Sequence, residues 1–307
     1  MQKNIGLIGL GAIGTPIADK LNQYAPDNFY LIASGAIKKN LEASNMFIND
    51  VAFHPNIVSG KSETEAGLDL FIICVKNYDL DNSLSDFQNA ISEKTIILPL
   101  QNGLYSYDFF SKQFPDNVVL QGFVKGPNTT IDGAHMYYQN PGEMYIGSDI
   151  YKQQAQDVYK YLKIAGVSVY FEEDINRKIW KKWMLNVAGN SVTALTEADY
   201  SIFKEFPNIQ TLCTRTMKEF QKVANAEGVD LSEKDIQDVI DYYVHYNGNK
   251  KTSMLVDVLN KRKTENEYLA GHIIHMAEKH GIEVPIIQTL YYLLTLKEAV
   301  YTQEKLL

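Results

Sequence analysis

A chain of 307 residues is long enough for two domains, because a single hydrophobic core stops growing near that size. Its 45% hydrophobic and 21% charged residues exclude disordered and membrane classes, and 37 acidic against 29 basic residues leave a charge of -8 that disfavours nucleic acid and anionic membranes as partners. Cys74 and Cys213 lack metal-ligand spacing and read as buried thiols, no apolar run reaches a membrane span, and no leader pattern precedes Ile5, so the expectation is a cytoplasmic protein without a metal.

From Asn4 to about Phe171, short β-rich runs alternate with amphipathic helical stretches. Strands are predicted at Ile5 to Gly9, Phe29 to Ala33, Leu70 to Val75 and Thr95 to Leu100, with helices at Ala12 to Asn22 and Ser83 to Ile91. The alternation predicts an α/β fold, a parallel sheet with crossover helices. Further strands at Val118 to Phe123, His135 to Tyr138 and Glu143 to Ile146, set off by Asp132-Gly133 and Pro141-Gly142, are expected to extend or cap that sheet. Near Glu173 the pattern turns wholly helical, which places a domain boundary there: residues 1–173 and residues 174–307. Helices are predicted at Ile175 to Asn190, Ile209 to Glu227, Glu233 to Tyr246, Met254 to Leu259, Glu267 to His280 and Ile286 to Tyr301, with Ser232 and Pro285 as starts and Gly281 as a stop. Tyrosines of this half, such as Tyr242, Tyr243, Tyr246, Tyr291 and Tyr292, read as core or interface packing, and a homodimer is expected.

Gly9-Leu10-Gly11-Ala12-Ile13-Gly14 follows an apolar strand and opens a helix, the setting in which a G-x-G-x-x-G run binds a dinucleotide. The first glycine permits a tight turn, the second lets backbone approach a pyrophosphate, and the third allows close helix-to-strand packing while the helix N-terminus faces the anion. At the end of the second strand, an acidic side chain points to NAD and a basic one to NADP. Ser34 stands there with neither charge. That favours NAD(H), with NADP(H) the alternative through Lys38 or Lys39, which otherwise read as solvated lysines.

Two loops, Val75-Lys76-Asn77 and Leu100-Gln101-Asn102-Gly103, lie at carboxyl ends of predicted strands, where doubly wound sheets bind ligands. The Asn102 amide suits a substrate carbonyl; Lys76 suits cofactor ribose or phosphate, or is a solvated loop lysine. In the helical half, Lys182, Asn186 and Asn190 follow at i+4 steps and share a helix face. A cation and two amides make a poor core stripe but suit a carboxylate-bearing substrate and an oxygen that needs a proton; the plain alternative is an exposed polar face. By default Glu265 and Glu267 are the acidic first turn of a helix capped by Thr264.

These residues resemble the ketopantoate reductase family. The likeness runs from the glycine fingerprint through Gln101-Asn102-Gly103 and the Lys182, Asn186, Asn190 series to Ser253-Met254-Leu255, Asp257, Thr264-Glu265 and His280-Gly281-Ile282 with Pro285. It implies a Rossmann domain with a doubly wound sheet followed by an all-α domain, and a 2-oxo acid held between them and reduced to a 2-hydroxy acid. It implies that Lys182 is the general acid and that Asn102 hydrogen-bonds the reacting oxygen. Asn186, Asn190 and Ser253 would hold the substrate's polar groups, Glu265 would orient substrate or cofactor, and Asp257 would support this shell. Leu10, Ala12 and Ile13 complete the cofactor turn, with Ser34, Lys76, Asn102 and Glu265 as further cofactor contacts.

Two positions depart from the family pattern. Ser34 stands where an arginine usually meets the 2′-phosphate, and Tyr200 where an asparagine usually contacts substrate. An aromatic in place of an amide suits a bulky apolar 2-oxo acid, so the expected activity is that of the NAD-dependent D-2-hydroxyacid dehydrogenases, D-mandelate dehydrogenases included, that resemble this family. The alternatives are a true ketopantoate reductase using NADPH, a β-hydroxyacid dehydrogenase, whose glycine-rich run before the catalytic lysine is missing here, and a non-catalytic dinucleotide-sensing protein.

Overall fold

A computed structural model of the chain describes residues 3–64, 67–246 and 249–303. It divides into two compact units, Met1–Asn176 and Arg177–Leu307. The first unit starts with β1 (Ile5–Ile8), α1 (Gly14–Tyr24), β2 (Phe29–Ile32), α2 (Gly35–Ala43), β3 (Met46–Ile48), β4 (Val51–Phe53), β5 (Asn56–Val58), β6 (Leu70–Ile73), α3 (Leu84–Ala90), β7 (Ile96–Pro99) and α4 (Tyr105–Gln113). The main sheet runs β5-β2-β1-β6-β7, every pair parallel. The order reverses between β1 and β6, which opens a crevice at their carboxyl ends.

The apolar composition of β6 follows from burial on both faces. Leu70 and Ile72 enter one core layer with Ile17 and Leu21, while Phe71 and Ile73 enter the other with Phe87 and Phe110. None of the four β6 residues exceeds 1% exposure.

The remaining elements of this unit are β8 (Gln121–Lys125), β9 (Asn128–Asp132), β10 (His135–Asn140), β11 (Glu143–Gly147), α5 (Lys152–Ile164) and β12 (Val169–Phe171). Of the two expectations for these strands, that they extend the main sheet or cap it, the first holds at one residue. Only the chain at Val119, bridged in parallel to Ile97, continues the main sheet. The strands β12-β11-β8 form a sheet of their own, and β10 pairs with β9 and with β3 in a further sheet, β4-β3-β10-β9. The edge that receives β10 is the β3–β4 hairpin, turned by Asn49 and Asp50 at φ 49° and 65°. Its signal was in the sequence: a polar pair tolerant of left-handed backbone between two three-residue apolar runs.

The second unit contains α6 (Ile175–Leu185), whose first two residues belong to the first unit, α7 (Ser191–Thr196), α8 (Ser201–Glu205), α9 (Pro207–Ala226), α10 (Glu233–His245), α11 (Ser253–Leu259), α12 (His272–Lys279) and α13 (Pro285–Thr302). Among its described residues there is no strand. Two wide π-turns interrupt the helical pattern, Asn186–Asn190 between α6 and α7 and Glu267–Gly271 before α12, and they pack on each other. The predicted Ile175-to-Asn190 helix is therefore α-helical only to Leu185.

Helix starts are set by specific acceptors. Ser232 and Asp235 form a reciprocal capping box on α10. The Asp235 carboxylate also receives Arg177 at 2.6 Å and Lys181 at 3.0 Å, tying α10 to α6. At α13, the buried Glu219 carboxylate of α9 accepts the amides of Ile286 and Ile287, two of the donors that a helix N-terminus leaves over. The core between these helices is aromatic: Trp180, Trp183 and Phe220 lie 5.0 to 5.7 Å apart, and Phe203 stacks on Tyr243 at 4.2 Å. No described helix is long and apolar enough to cross a membrane.

Candidate active site

In the first unit the glycine run joins β1 to α1. Gly9 has φ +97°, and a Cβ there would lie 2.7 Å from the backbone at Cys74 and Val75. A Cβ on Gly14 would meet the Gly9 carbonyl oxygen at 1.9 Å, so strand and helix touch backbone to backbone. At Gly11 a Cβ would meet nothing within 4 Å. The middle glycine thus faces open space, which fits a turn whose backbone receives a bound group. No acidic residue occupies the first turn of α1, so the partial positive charge of that helix end is unopposed. Thr129 Oγ1 steadies the turn from β9 by donating to the Ala12 carbonyl at 2.9 Å.

Ser34 lies two residues beyond β2 and is the residue before α2. Lys38, one turn on, is ion-paired with Glu63 at 2.6 Å and lies 3.8 Å from Glu42, rather than being solvated as a helix-start lysine would be. The same contact holds the Glu63 carboxyl below its ordinary range.

The two crevice loops are cross-linked. Asn77 Nδ2 donates to the Asn102 carbonyl at 3.2 Å, and Gln101 Nε2 to the Val75 carbonyl at 2.9 Å. Gln101 and Asn77 are buried, whereas Lys76 and Asn102 are half-buried at the carboxyl ends of β6 and β7. Sequence reasoning singled out Lys76 and Asn102 but missed that their amide neighbours lock one loop to the other.

In the second unit, Lys182 lies half-buried in the last turn of α6, and Asn186 and Asn190 open and close the first π-turn at 7% and 4% exposure. The adjacent Lys181 is engaged elsewhere, on Asp235 and, at 2.8 Å, on Asp238.

Glu265 is 5% exposed within a stretch anchored from α13. The Thr264 amide and hydroxyl both donate to the Glu298 carboxylate, at 3.0 and 2.6 Å, and Asn266 Nδ2 donates to the Tyr291 carbonyl and Thr295 hydroxyl. Asn266, not Thr264, occupies the cap position of the π-turn that follows, although Thr264 Oγ1 does accept the Asn266 amide. The Trp183 indole of α6 reaches the second π-turn by donating to the Leu269 carbonyl at 3.1 Å.

Ser253 is exposed at the start of α11, whose cap is Thr252, and α11 packs on α7 and on the first π-turn. Asp257 is buried and paired with Arg262 at 2.9 Å, holding the turn after α11. The Tyr200 ring is 5% exposed, enclosed by Phe203, Tyr242, Tyr243 and Tyr246. Its first effect is therefore on the packing of α8 against α10. Cys213 is buried as expected; Cys74 is only partly so, and burial pushes both thiols up, Cys213 to about 12. Among the described residues no cluster of three or more His, Cys, Asp or Glu could hold a metal ion.

Comparison with known proteins gives the same architecture along the whole chain. A family model described as ketopantoate reductase PanE/ApbA matches residues 5–149, and its C-terminal counterpart matches residues 174–298. A 2-dehydropantoate 2-reductase of Halobacterium salinarum is 28% identical over 250 residues, 81% of this chain and 80% of that protein. Among solved structures, a D-mandelate dehydrogenase with NADH and anilino(oxo)acetate is 23% identical with a TM-score of 0.85, covering 97% of this chain and 99% of the other. A dimeric ketopantoate reductase from Staphylococcus aureus is 24% identical with a TM-score of 0.81 and the same coverage. At these identities the two structures show a shared fold.

Proposed function

The chain belongs to the ketopantoate reductase family of oxidoreductases, and we propose that it is an NAD(H)-dependent D-2-hydroxyacid dehydrogenase acting on a bulky apolar 2-oxo acid, such as phenylglyoxylate or a branched-chain 2-oxo acid. The observation that carries the cofactor choice lies in the short link between β2 and α2. Ser34 bears no charge, and an extra ribose phosphate would have to compete with Glu63 for the Lys38 ammonium.

The dinucleotide, when bound, supplies a hydride to the carbonyl carbon. Lys182 then answers the charge that grows on the carbonyl oxygen and delivers a proton to it, and Asn102 donates to the same atom. Asn186, Asn190 and Ser253 hold the substrate's carboxylate and polar groups, Glu265 orients substrate or cofactor, and Tyr200 gives the substrate end its aromatic character. Gly9, Gly11, Gly14 and the backbone of Leu10, Ala12 and Ile13 hold the pyrophosphate, with Lys76 toward the ribose or phosphate. A homodimer completes the reading, in line with the dimeric Staphylococcus aureus relative.

The second reading, reduction of ketopantoate with NADPH, is favoured by the name of the Halobacterium salinarum relative. Steady-state kinetics separate the two. We expect kcat/KM for phenylglyoxylate or a branched 2-oxo acid with NADH to exceed that for ketopantoate with NADPH by roughly tenfold or more, about 1.4 kcal/mol of preference. Faster turnover of ketopantoate with NADPH overturns the dehydrogenase assignment. Sedimentation at twice the chain mass supports the dimer, and a monomer refutes it.

A further inference from the structure

The π-turn at Asn186–Asn190 has an identifiable cause. In an uninterrupted α-helix the Gly189 amide would donate to the Leu185 carbonyl. Here the Tyr243 hydroxyl from α10 donates to that carbonyl at 2.5 Å and bonds the Gly189 backbone as well, so it sits in the rung that the helix would have closed. A Cβ on Gly189 would fall 2.3 Å from this hydroxyl and 2.6 Å from the ring carbon that bears it, which is why the wedge needs glycine opposite. The Tyr243 ring is 1% exposed and stacked on Phe203 within 10° of parallel, so the hydroxyl has one place to be.

The rung matters for geometry. Four α-helical residues sweep about 400°, so Asn186 is advanced about 40° from Lys182, and a second α-helical step would double the offset at Asn190. A wider turn takes that rotation back. Both amides are buried, so the turn and not solvent decides where they aim.

We propose that Tyr243 is a positioning residue: its hydroxyl, wedged between Leu185 and Gly189, holds the π-turn that lines Asn190 up with Asn186 and Lys182. This rests on the reading that these amides hold the 2-oxo acid. Tyr243→Phe removes one oxygen and keeps the ring. The expected result is a roughly tenfold rise in KM for the 2-oxo acid that turns over best, with a smaller fall in kcat and unchanged dinucleotide affinity. In a crystal structure of the variant the Gly189 amide closes onto Leu185.

Val239→Ala, a buried truncation one turn away on α10, controls for lost packing: it should lower Tm and leave KM within twofold. A Tyr243→Phe enzyme with unchanged KM, or with its π-turn intact, overturns the proposal, as does an equal KM rise in Val239→Ala. Asn190→Ala separates this from failure of the functional reading. If that variant raises KM while Tyr243→Phe does not, the wedge is wrong and the reading stands. If Asn190→Ala leaves KM unchanged, the reading itself fails.

Discussion

The glycine turn of the first unit and the Lys182 helix of the second are built in opposite ways. The turn is made by missing side chains: six consecutive residues bring a strand, a helix and an open backbone face together, and apart from the Thr129 hydroxyl what shapes it lies close in sequence or on the neighbouring strand end. The Lys182 helix is shaped by side chains that arrive from far away. Tyr243, 58 residues on, opens its π-turn, and the Trp183 indole ties it to Leu269, 86 residues on. A binding surface made of backbone can be written as a short motif. A set of aimed side chains needs a scaffold, and the scaffold is spread through the unit.

Perturbations should expose this difference. The largest expected effect is Lys182→Ala, which should cut turnover on the order of a hundredfold to ten-thousandfold while dinucleotide binding persists. Unchanged turnover would refute the acid role of Lys182. Gly14→Ala should act in the opposite sense, because its methyl must displace the Gly9 carbonyl from 1.9 Å. We expect dinucleotide affinity, read by fluorescence titration, to fall on the order of a hundredfold, with the helical unit's near-ultraviolet signal intact.

Acid should single out the helical unit. His272, against the Trp183 ring, is pushed down to about 4 by burial and then by His275. Its folded value lies below the unfolded one near 6.5, so the unfolded state takes the proton first. The stability contribution is complete above about pH 6.5 and declines as the pH falls toward 4, by roughly 3 kcal/mol. Melting curves across that window should be flatter for His272→Gln, and parallel curves would refute the assignment. The smallest effect is expected at Ser34→Arg, which should move preference toward NADPH by roughly tenfold, provided that the new guanidinium is not drawn to Glu63.

The same contrast decides what was legible in the sequence. The parallel sheet was readable because β6 is apolar on both faces and the glycine run follows β1 directly. Ser232 and Pro285 were readable because capping is local chemistry. The β3–β4 hairpin was missed although Asn49-Asp50 announces it, because three-residue strands are too short to show a period. Lys182, Asn186 and Asn190 stood out by spacing, but the π-turn between the last two did not, since nothing near Gly189 marks the tyrosine that causes it. The anchoring of the Glu265 stretch through Glu298, and the pairing of Lys181 with Asp238, likewise depend on partners 34 to 57 residues distant.

The Tyr243 wedge also sets an order of events. A nascent segment from Ile175 to Thr196 has no reason to leave the α-helical ladder, because the lower-energy local choice is to close the Leu185 rung on Gly189. The rung opens only when α10 has been synthesised, capped and docked. If the wedge aligns the site as proposed, alignment of Lys182 with the two amides comes with the docking of α10, so folding of the second unit and completion of its proposed site coincide.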